Sequence, residues 1–518
     1  MTPAVGSGSV RGELLLGFDI GTSSSKGALV RPDGEVVASA QREHDISVPR
    51  PGLAEQDADS VWWGDFVSIC GELLPSAADG IAAVCASGLG PCLLAADEGC
   101  RALRPAMLYG IDTRAGREIE ELTERYGAER ILERSGSPLT AQAVGPKLAW
   151  LRRNEPEVWA RTRRLLMASS FTVKRLTGEY VLDHHSASQC DPLYDLAAHA
   201  WAEDWAEEIA PGLPLPRLLW PYEVAGEVTA EAAAETGIPA GTPVAAGTID
   251  TRAEAASVEV TQPGEAMIQY GTTVFMMEVL AAPCSDPHLW GTAGVTPDTY
   301  DLAAGMASGG ALADWLHEVV HDEPFDMLLA EAARVPPGAD GLVGLPYFQG
   351  ERTPLFDPMA RGAILGLTLG HERAHLYRAL LESVAYGVRH NLDTIRAARA
   401  RALGHGDTME EEAPLAATGG GTTGRLWVQI VSDVIGRPQR LFRETLGACY
   451  GDAGFAGRAA GLFEDEPGWN SVVEEIHPDP SVREVYDRLY SIYLELYPAT
   501  RDQAHALARL QAERPTSG

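Results

Sequence analysis

Apolar runs that stop at a Gly-Thr turn occur twice in this chain, half its length apart. The first is Leu14-Leu15-Leu16-Gly17-Phe18-Asp19-Ile20-Gly21-Thr22-Ser23-Ser24-Ser25-Lys26, and the second is Ile268-Gln269-Tyr270-Gly271-Thr272-Thr273. A continuous apolar stretch bounded by turn residues predicts a buried strand. The first run therefore predicts a strand over residues 14–19, followed by strands over 26–30 and 35–40 around an Asp33-Gly34 hairpin. That is an antiparallel meander rather than a β–α crossover. Helical spacing over 59–74 and 114–126 brackets a further apolar strand over 81–86. The turn-rich Gly237-Ile238-Pro239-Ala240-Gly241-Thr242-Pro243 leads into a short strand over 244–247 and a helix over 252–258. Gln262-Pro263-Gly264 then breaks the chain, and the order strand, Gly-Thr turn, strand, helices begins again.

This recurrence predicts two related domains, with the change between them at 255–264. A chain of 518 residues exceeds what one core supports, which favours the same division. Residues 1–12 are expected to be a flexible lead-in, 404–412 a surface loop, and the tail after Ala512 frayed.

Composition narrows the function. With 45% hydrophobic and 22% charged residues, the chain reads as an ordinary globular protein. Its net charge of −32 argues against nucleic-acid partners, so any phosphate site must be local, built from backbone N–H groups, hydroxyls and a metal. Seven cysteines, odd in number and without a C-x-x-C pair, argue against a disulfide framework or zinc site. No signal-peptide pattern opens the chain and no stretch approaches 18 uninterrupted apolar residues, so a cytoplasmic protein without a membrane partner is expected.

The turns carry the candidate chemistry. Gly21 lets backbone approach a ligand, consecutive N–H groups form an anion nest, and Thr22, Ser23 and Ser24 add hydroxyls beside the Lys26 charge. Asp19 is placed to hold Mg²⁺ through water. A plain hairpin is the competing reading of one such turn; the pairing with Gly271-Thr272-Thr273 favours two nests clamping adjacent phosphates. Asp250, in Gly247-Thr248-Ile249-Asp250-Thr251, follows an apolar strand and could accept the proton of an attacking hydroxyl. Its competing reading is a helix cap.

A third cluster, Thr418-Gly419-Gly420-Gly421-Thr422-Thr423-Gly424, precedes a helix with Leu426, Ile430 and Val434 on one face and Gly436 as its C-cap. It matches G-x-G-x-x-G, with Glu444 downstream, so a dinucleotide-dependent dehydrogenase enters as an alternative. A glycine surface for adenine or ribose fits better, because the dehydrogenase leaves both Gly-Thr turns unexplained. Trp62 and Trp63 are expected in the core, His184-His185 as a surface pair, and Ser308-Gly309-Gly310 either near nucleotide or in close helix packing.

Taken in order, these segments resemble the FGGY family of carbohydrate kinases over about residues 13–500. The resemblance also rests on Glu55-Gln56-Asp57 with Trp62-Trp63, Asp112-Thr113-Arg114, Gly350-Glu351-Arg352-Thr353-Pro354 and Arg361-Gly362-Ala363-Ile364-Leu365-Gly366-Leu367. It implies an α/β, two-domain ribonuclease H-like fold of the actin and hexokinase type, with an interdomain catalytic cleft. Domain 13–258 would hold the sugar site, first phosphate loop and base; domain 259–505 the second phosphate loop and adenine site. The family pattern makes Asp250 the catalytic base and Asp19 the Mg²⁺ carboxylate. Thr22, Ser23, Ser24 and Lys26 match the first phosphate loop, Gly271 and Thr272 the second, and Gly310, Gly420 and Gly424 positions lining the nucleotide. Gly90, Pro91 and Asp112 fall in the sugar region, beside Asp250.

Departures bear on the acceptor. Glycerol kinases carry an Arg-Glu pair where this chain reads Ser87-Gly88-Leu89-Gly90-Pro91-Cys92, and xylulokinases carry Met-His. Tyr109-Gly110-Ile111-Asp112 replaces the usual Trp-Asn-Asp. The chain resembles the xylulokinase-like branch most, which implies ATP and Mg²⁺ as cofactors and a ketopentose such as xylulose as substrate. Another ketose or polyol, or a non-catalytic sugar- and nucleotide-binding relative, is the alternative. A homodimer is a further expectation.

Overall fold

A computed structural model of the chain describes residues 13–320, 324–403 and 412–512. The expected lead-in, most of the 404–412 loop and the tail after Ala512 lie outside them.

The first half is built on a mixed sheet: β1 (Leu14–Ile20), β2 (Ser24–Val30), β3 (Val36–Glu43), β4 (Ile81–Gly88), β5 (Val224–Glu227) and β6 (Pro243–Ala245), in the order β5-β6-β4-β1-β2-β3. β1, β2 and β3 form the expected antiparallel meander, whereas β4 runs parallel to both β1 and β6. Every residue of β4 is buried, and β1 is buried except at Asp19, in keeping with unbroken apolar sequence at the centre of a covered sheet. β2 begins at Ser24, two residues earlier than side-chain hydrophobicity indicates, because backbone pairing with Arg42 and Glu43 continues past the apolar positions.

The second half repeats this plan. β7 (Ala266–Tyr270), β8 (Val274–Leu280), β9 (Trp290–Ala293), β10 (Tyr300–Met306), β11 (Leu415–Thr418), β12 (Gln439–Phe442) and β13 (Val472–Ile476) form a sheet ordered β9-β10-β8-β7-β11-β12-β13. An antiparallel meander, β7-β8-β10, adjoins two parallel strands, β11 and β12, and an antiparallel edge. β9 is the added strand.

Helices cover the sheets. α1 (Gly64–Leu73), preceded by a π-helical turn over Ala58–Trp63, packs on β2 and β3, with Trp62 and Trp63 in the core as expected. α2 (Asp250–Ser257) follows β6 and starts two residues earlier than predicted, so Asp250 is its first residue. α3 (Gly310–Val319), α4 (Arg373–Leu403) and α5 (Arg425–Ile435) belong to the second half, and Gly436 ends α5 at φ 70° as expected. α6 (Ala448–Ala459) comes late in the chain yet packs on β1, β4 and α2 of the first half. Gly17 makes this possible, because a Cβ there would run into the Cys449 carbonyl. The long α7 (Arg483–Ala512) closes the second half beside α5.

His184-His185 is not a surface pair. Asp183 caps a short helix over His184–Ser188 that turns both rings inward. His185 is 5% exposed, with Nδ1 at 2.7 Å from the Ala293 carbonyl, and His184 stacks near Trp220 with Nδ1 at 2.8 Å from the Tyr194 hydroxyl.

Candidate active site

Three parallel strands of the first sheet bring their carboxyl ends together. Asp19 near the end of β1 lies opposite Ser87 on β4, and Gly88 bridges to Ile249, one residue before Asp250. Ligands in open α/β sheets bind at such carboxyl edges. Asp250 keeps some exposure, and its Oδ1 accepts the Thr251 N–H at 2.7 Å. Burial pushes its carboxyl up to about 7, opposed by the Thr251 N–H and reinforced by Glu254. Asp19 is likewise held well above the usual carboxylate range, first by burial, then by Asp250, Asp452 and Glu254, with Lys26 acting the other way. Asp452 reaches in from α6, accepting the Ser87 N–H at 3.1 Å and the Ser87 hydroxyl at 2.6 Å.

The two Gly-Thr turns are hairpin loops of matching strand pairs, β1–β2 and β7–β8. In each, the glycine N–H closes the turn at 2.9 Å, from Gly21 to the Ser24 carbonyl and from Gly271 to the Thr273 carbonyl. The first turn is braced from outside. Gln56, fixed by the Trp62 indole, donates to the Thr22 carbonyl at 3.1 Å; His44 lies 3.0 Å from the Gly21 carbonyl; and Tyr109 shares a 2.9 Å hydrogen bond with the Thr22 hydroxyl. The second turn is braced by the start of α3, where Gly309, Gly310 and Ala311 donate to the carbonyls of Thr272, Gly271 and Thr272. A Cβ at Gly310 would stand 2.9 Å from the Gly271 carbonyl oxygen, so close packing is what demands this glycine. Gly271 and Thr272 are exposed, as is Ser23.

Beside the second turn, β11 runs parallel to β7 and delivers the third glycine cluster to the same edge. A Cβ at Gly420 would meet nothing within 4 Å, which leaves a flat, open backbone surface, while Gly424 starts α5.

A cavity of about 240 Å³ joins the halves. Thr22, Gly90, Tyr109, Gln142 and Asp250 line it from the first, and Thr273 and Arg352 from the second. Its floor is one face of the second sheet: Phe275 and Met277 on β8, Trp290 and Thr292 on β9, Asp301 and Ala303 on β10. Period-two spacing places each pair on the same side of its strand.

Gly90 lines the cavity, but Pro91 is buried outside its lining. Asp112 does not face it either. Its carboxylate accepts the Ala54 N–H at 2.8 Å and is gripped by the Arg114 guanidinium, so it braces the wall and has no free oxygen for a ligand. Lys26, Ser23, Ser24, Gly310, Gly420 and Gly424 also lie outside this cavity lining. Tyr109, Arg352, Asp191 and Asp452 were not singled out for chemistry in sequence. Arg352 stood in a recognised motif; no local pattern marks Asp452, which acts across hundreds of residues.

The chemistry suits Mg²⁺. No group of three or more His, Cys, Asp or Glu side chains among the described residues is placed to cage a metal. Mg²⁺ does not need one, since it keeps water and uses one or two carboxylates plus substrate phosphates. Asp19 sits among mutually repelling carboxylates that a cation would relieve.

Comparison with known proteins follows the same line. The N-terminal domain model of the FGGY family of carbohydrate kinases matches residues 14–256, and the C-terminal domain model matches 266–460. A xylulose kinase from Lactococcus lactis is 28% identical over 96% of this chain and 99% of its own length. A gluconokinase from Bacillus subtilis is 27% identical over 84% of this chain and 86% of its own. The crystal structure of a xylulose kinase from Rhodospirillum rubrum superposes with a TM-score of 0.85 at 35% identity, covering 95% of this chain and all of that one.

Proposed function

The chain belongs to the FGGY family of carbohydrate kinases, and we propose that it transfers the γ-phosphoryl group of ATP to a hydroxyl of a ketopentose such as xylulose. The observation that carries the reading is Asp250: a carboxylate pushed up to about 7, on the wall of a cavity that joins the halves. In the mechanism, Asp250 accepts the proton of the attacking hydroxyl as the new O–P bond forms and the bond from the γ-phosphorus to the bridging oxygen breaks, releasing ADP. The N–H groups and hydroxyls of Thr22, Ser23 and Ser24, with Lys26, and those of Gly271 and Thr272, hold the donor phosphates from opposite sides. Gly310, Gly420 and Gly424 line the nucleotide, with the open face of Gly420 as its resting surface. Asp19 would hold Mg²⁺, which when bound would supply charge neutralisation on the phosphates. Gly90 and Tyr109 shape the acceptor pocket. The proposed domains are 13–258 and 259–505, with α6 crossing back to pack on the first, and the seven free cysteines suit a cytoplasmic setting. Likeness to xylulose kinases along nearly the full length supports the ketopentose.

The test is ADP release across pentuloses, hexuloses and polyols with the wild type and Asp250→Ala. Loss of the base should lower kcat by roughly 10²- to 10⁴-fold while nucleotide affinity stays within a few-fold. Sugar-dependent turnover retained in the variant rules out Asp250 as the base.

A further inference from the structure

Two acidic side chains on the cavity wall have no task in this mechanism, Asp301, which faces Arg252, and Asp191, which faces no cation. Asp191 lines the cavity, is 5% exposed, and its Oδ1 has no hydrogen-bond partner. Its main chain is fixed, because the carbonyl accepts the Gly145 N–H at 3.0 Å and Gly145 leaves no room for a Cβ against it. Burial alone holds its carboxyl well above the usual range, with no cation or donor acting on it. Buried acceptors are ordinarily paired, and leaving one unpaired is costly. An orphan acceptor on a cavity wall therefore marks where a ligand's donor completes the pairing.

The neighbouring charges are accounted for. Asp301 faces Arg252 Nε at 2.9 Å and His185 Nδ1 at 3.3 Å, and Arg252 Nη1 donates to the Val260 carbonyl at 2.8 Å. The lining thus holds three carboxylates, Asp191, Asp250 and Asp301, against two guanidinium groups, Arg252 and Arg352, and Arg252 is already paired in charge with Asp301. A neutral polyhydroxy molecule can donate O–H groups to Asp191 and Asp250. A sugar acid would bring a further negative charge into a space where carboxylates already outnumber guanidinium groups.

We infer that Asp191 contacts the acceptor, accepts one of its hydroxyl hydrogens, and selects neutral ketoses and polyols over sugar acids. This rests on the carbohydrate-kinase reading and names the substrate class that its site takes.

Wild-type ADP release is measured with xylulose, xylitol and gluconate. The better neutral acceptor should exceed gluconate by at least about tenfold in kcat/KM. Gluconate turned over equally well overturns the inference and leaves the kinase reading standing; no sugar-dependent ADP release from protein that binds ATP removes both. In Asp191→Ala the acceptor KM should rise roughly 10- to 100-fold with the ATP KM nearly unchanged. Asp191→Asn keeps an acceptor oxygen without the charge, so its acceptor KM should rise less while the preference against gluconate narrows. An unchanged substrate ranking in Asp191→Asn, or equal rises in acceptor and ATP KM in Asp191→Ala, overturns the assignment. The wild-type comparison decides the matter if circular dichroism shows either variant misfolded.

Discussion

At the scale of the residue, the proposed base Asp250 should reveal itself in the pH dependence of turnover. The base must be ionised, so kcat/KM for the acceptor should climb with pH and level off above about 7. A profile flat from pH 5.5 to 8.5 would remove Asp250 from that role. The same shift affects stability in the opposite sense. Burial raises the folded-state pKa above the ordinary aspartate value, so the associated stability is present at low pH and lost as pH rises through about 7. Asp250→Asn removes that penalty. Its melting temperature relative to wild type should therefore rise from pH 5 to about 7 and level off above that, as differential scanning calorimetry can measure. Asp112 teaches the contrary lesson. A motif position predicted to touch the sugar instead spends its carboxylate on Arg114 and Ala54, and only the position of residue 54 in space reveals it.

Elements place these residues. Each Gly-Thr turn is held by groups distant in sequence, the first by Gln56, His44 and Tyr109, the second by the N-terminal turn of α3. Gly310→Ala tests the second brace. The added methyl would press on the Gly271 carbonyl and displace the turn, so the ATP KM should rise several-fold more than the acceptor KM in steady-state assays. An unchanged ATP KM would mean that the turn's position is immaterial to donor binding. The turns themselves were readable because a hairpin loop is local: apolar strand, Gly-Thr, then hydroxyls. Their braces were not, since no periodicity relates residue 44 or 56 to residue 22.

For the molecule as a whole, the cavity between two similar sheets predicts closure when both substrates bind. Small-angle scattering should show a smaller radius of gyration with sugar and a non-hydrolysable ATP analogue together than with neither, and closure of this kind excludes water from the phosphoryl group. An unchanged radius would rule it out. Light scattering on the same samples tests the proposed homodimer. The duplicated order of strand, Gly-Thr turn and strand was enough to predict the first meander, the opening hairpin of the second and the pairing of the two Gly-Thr turns, because backbone register and turn chemistry are set by neighbours in the chain. The same local rules placed Asp19 and Asp250 after apolar strands. They could not place α6 against the first sheet, bring Asp452 to Ser87, turn His185 inward, or leave Asp191 unpaired on the cavity wall. Those depend on which surfaces meet when two sheets and their helices pack, and a burial environment is a property of that packing rather than of any stretch of sequence.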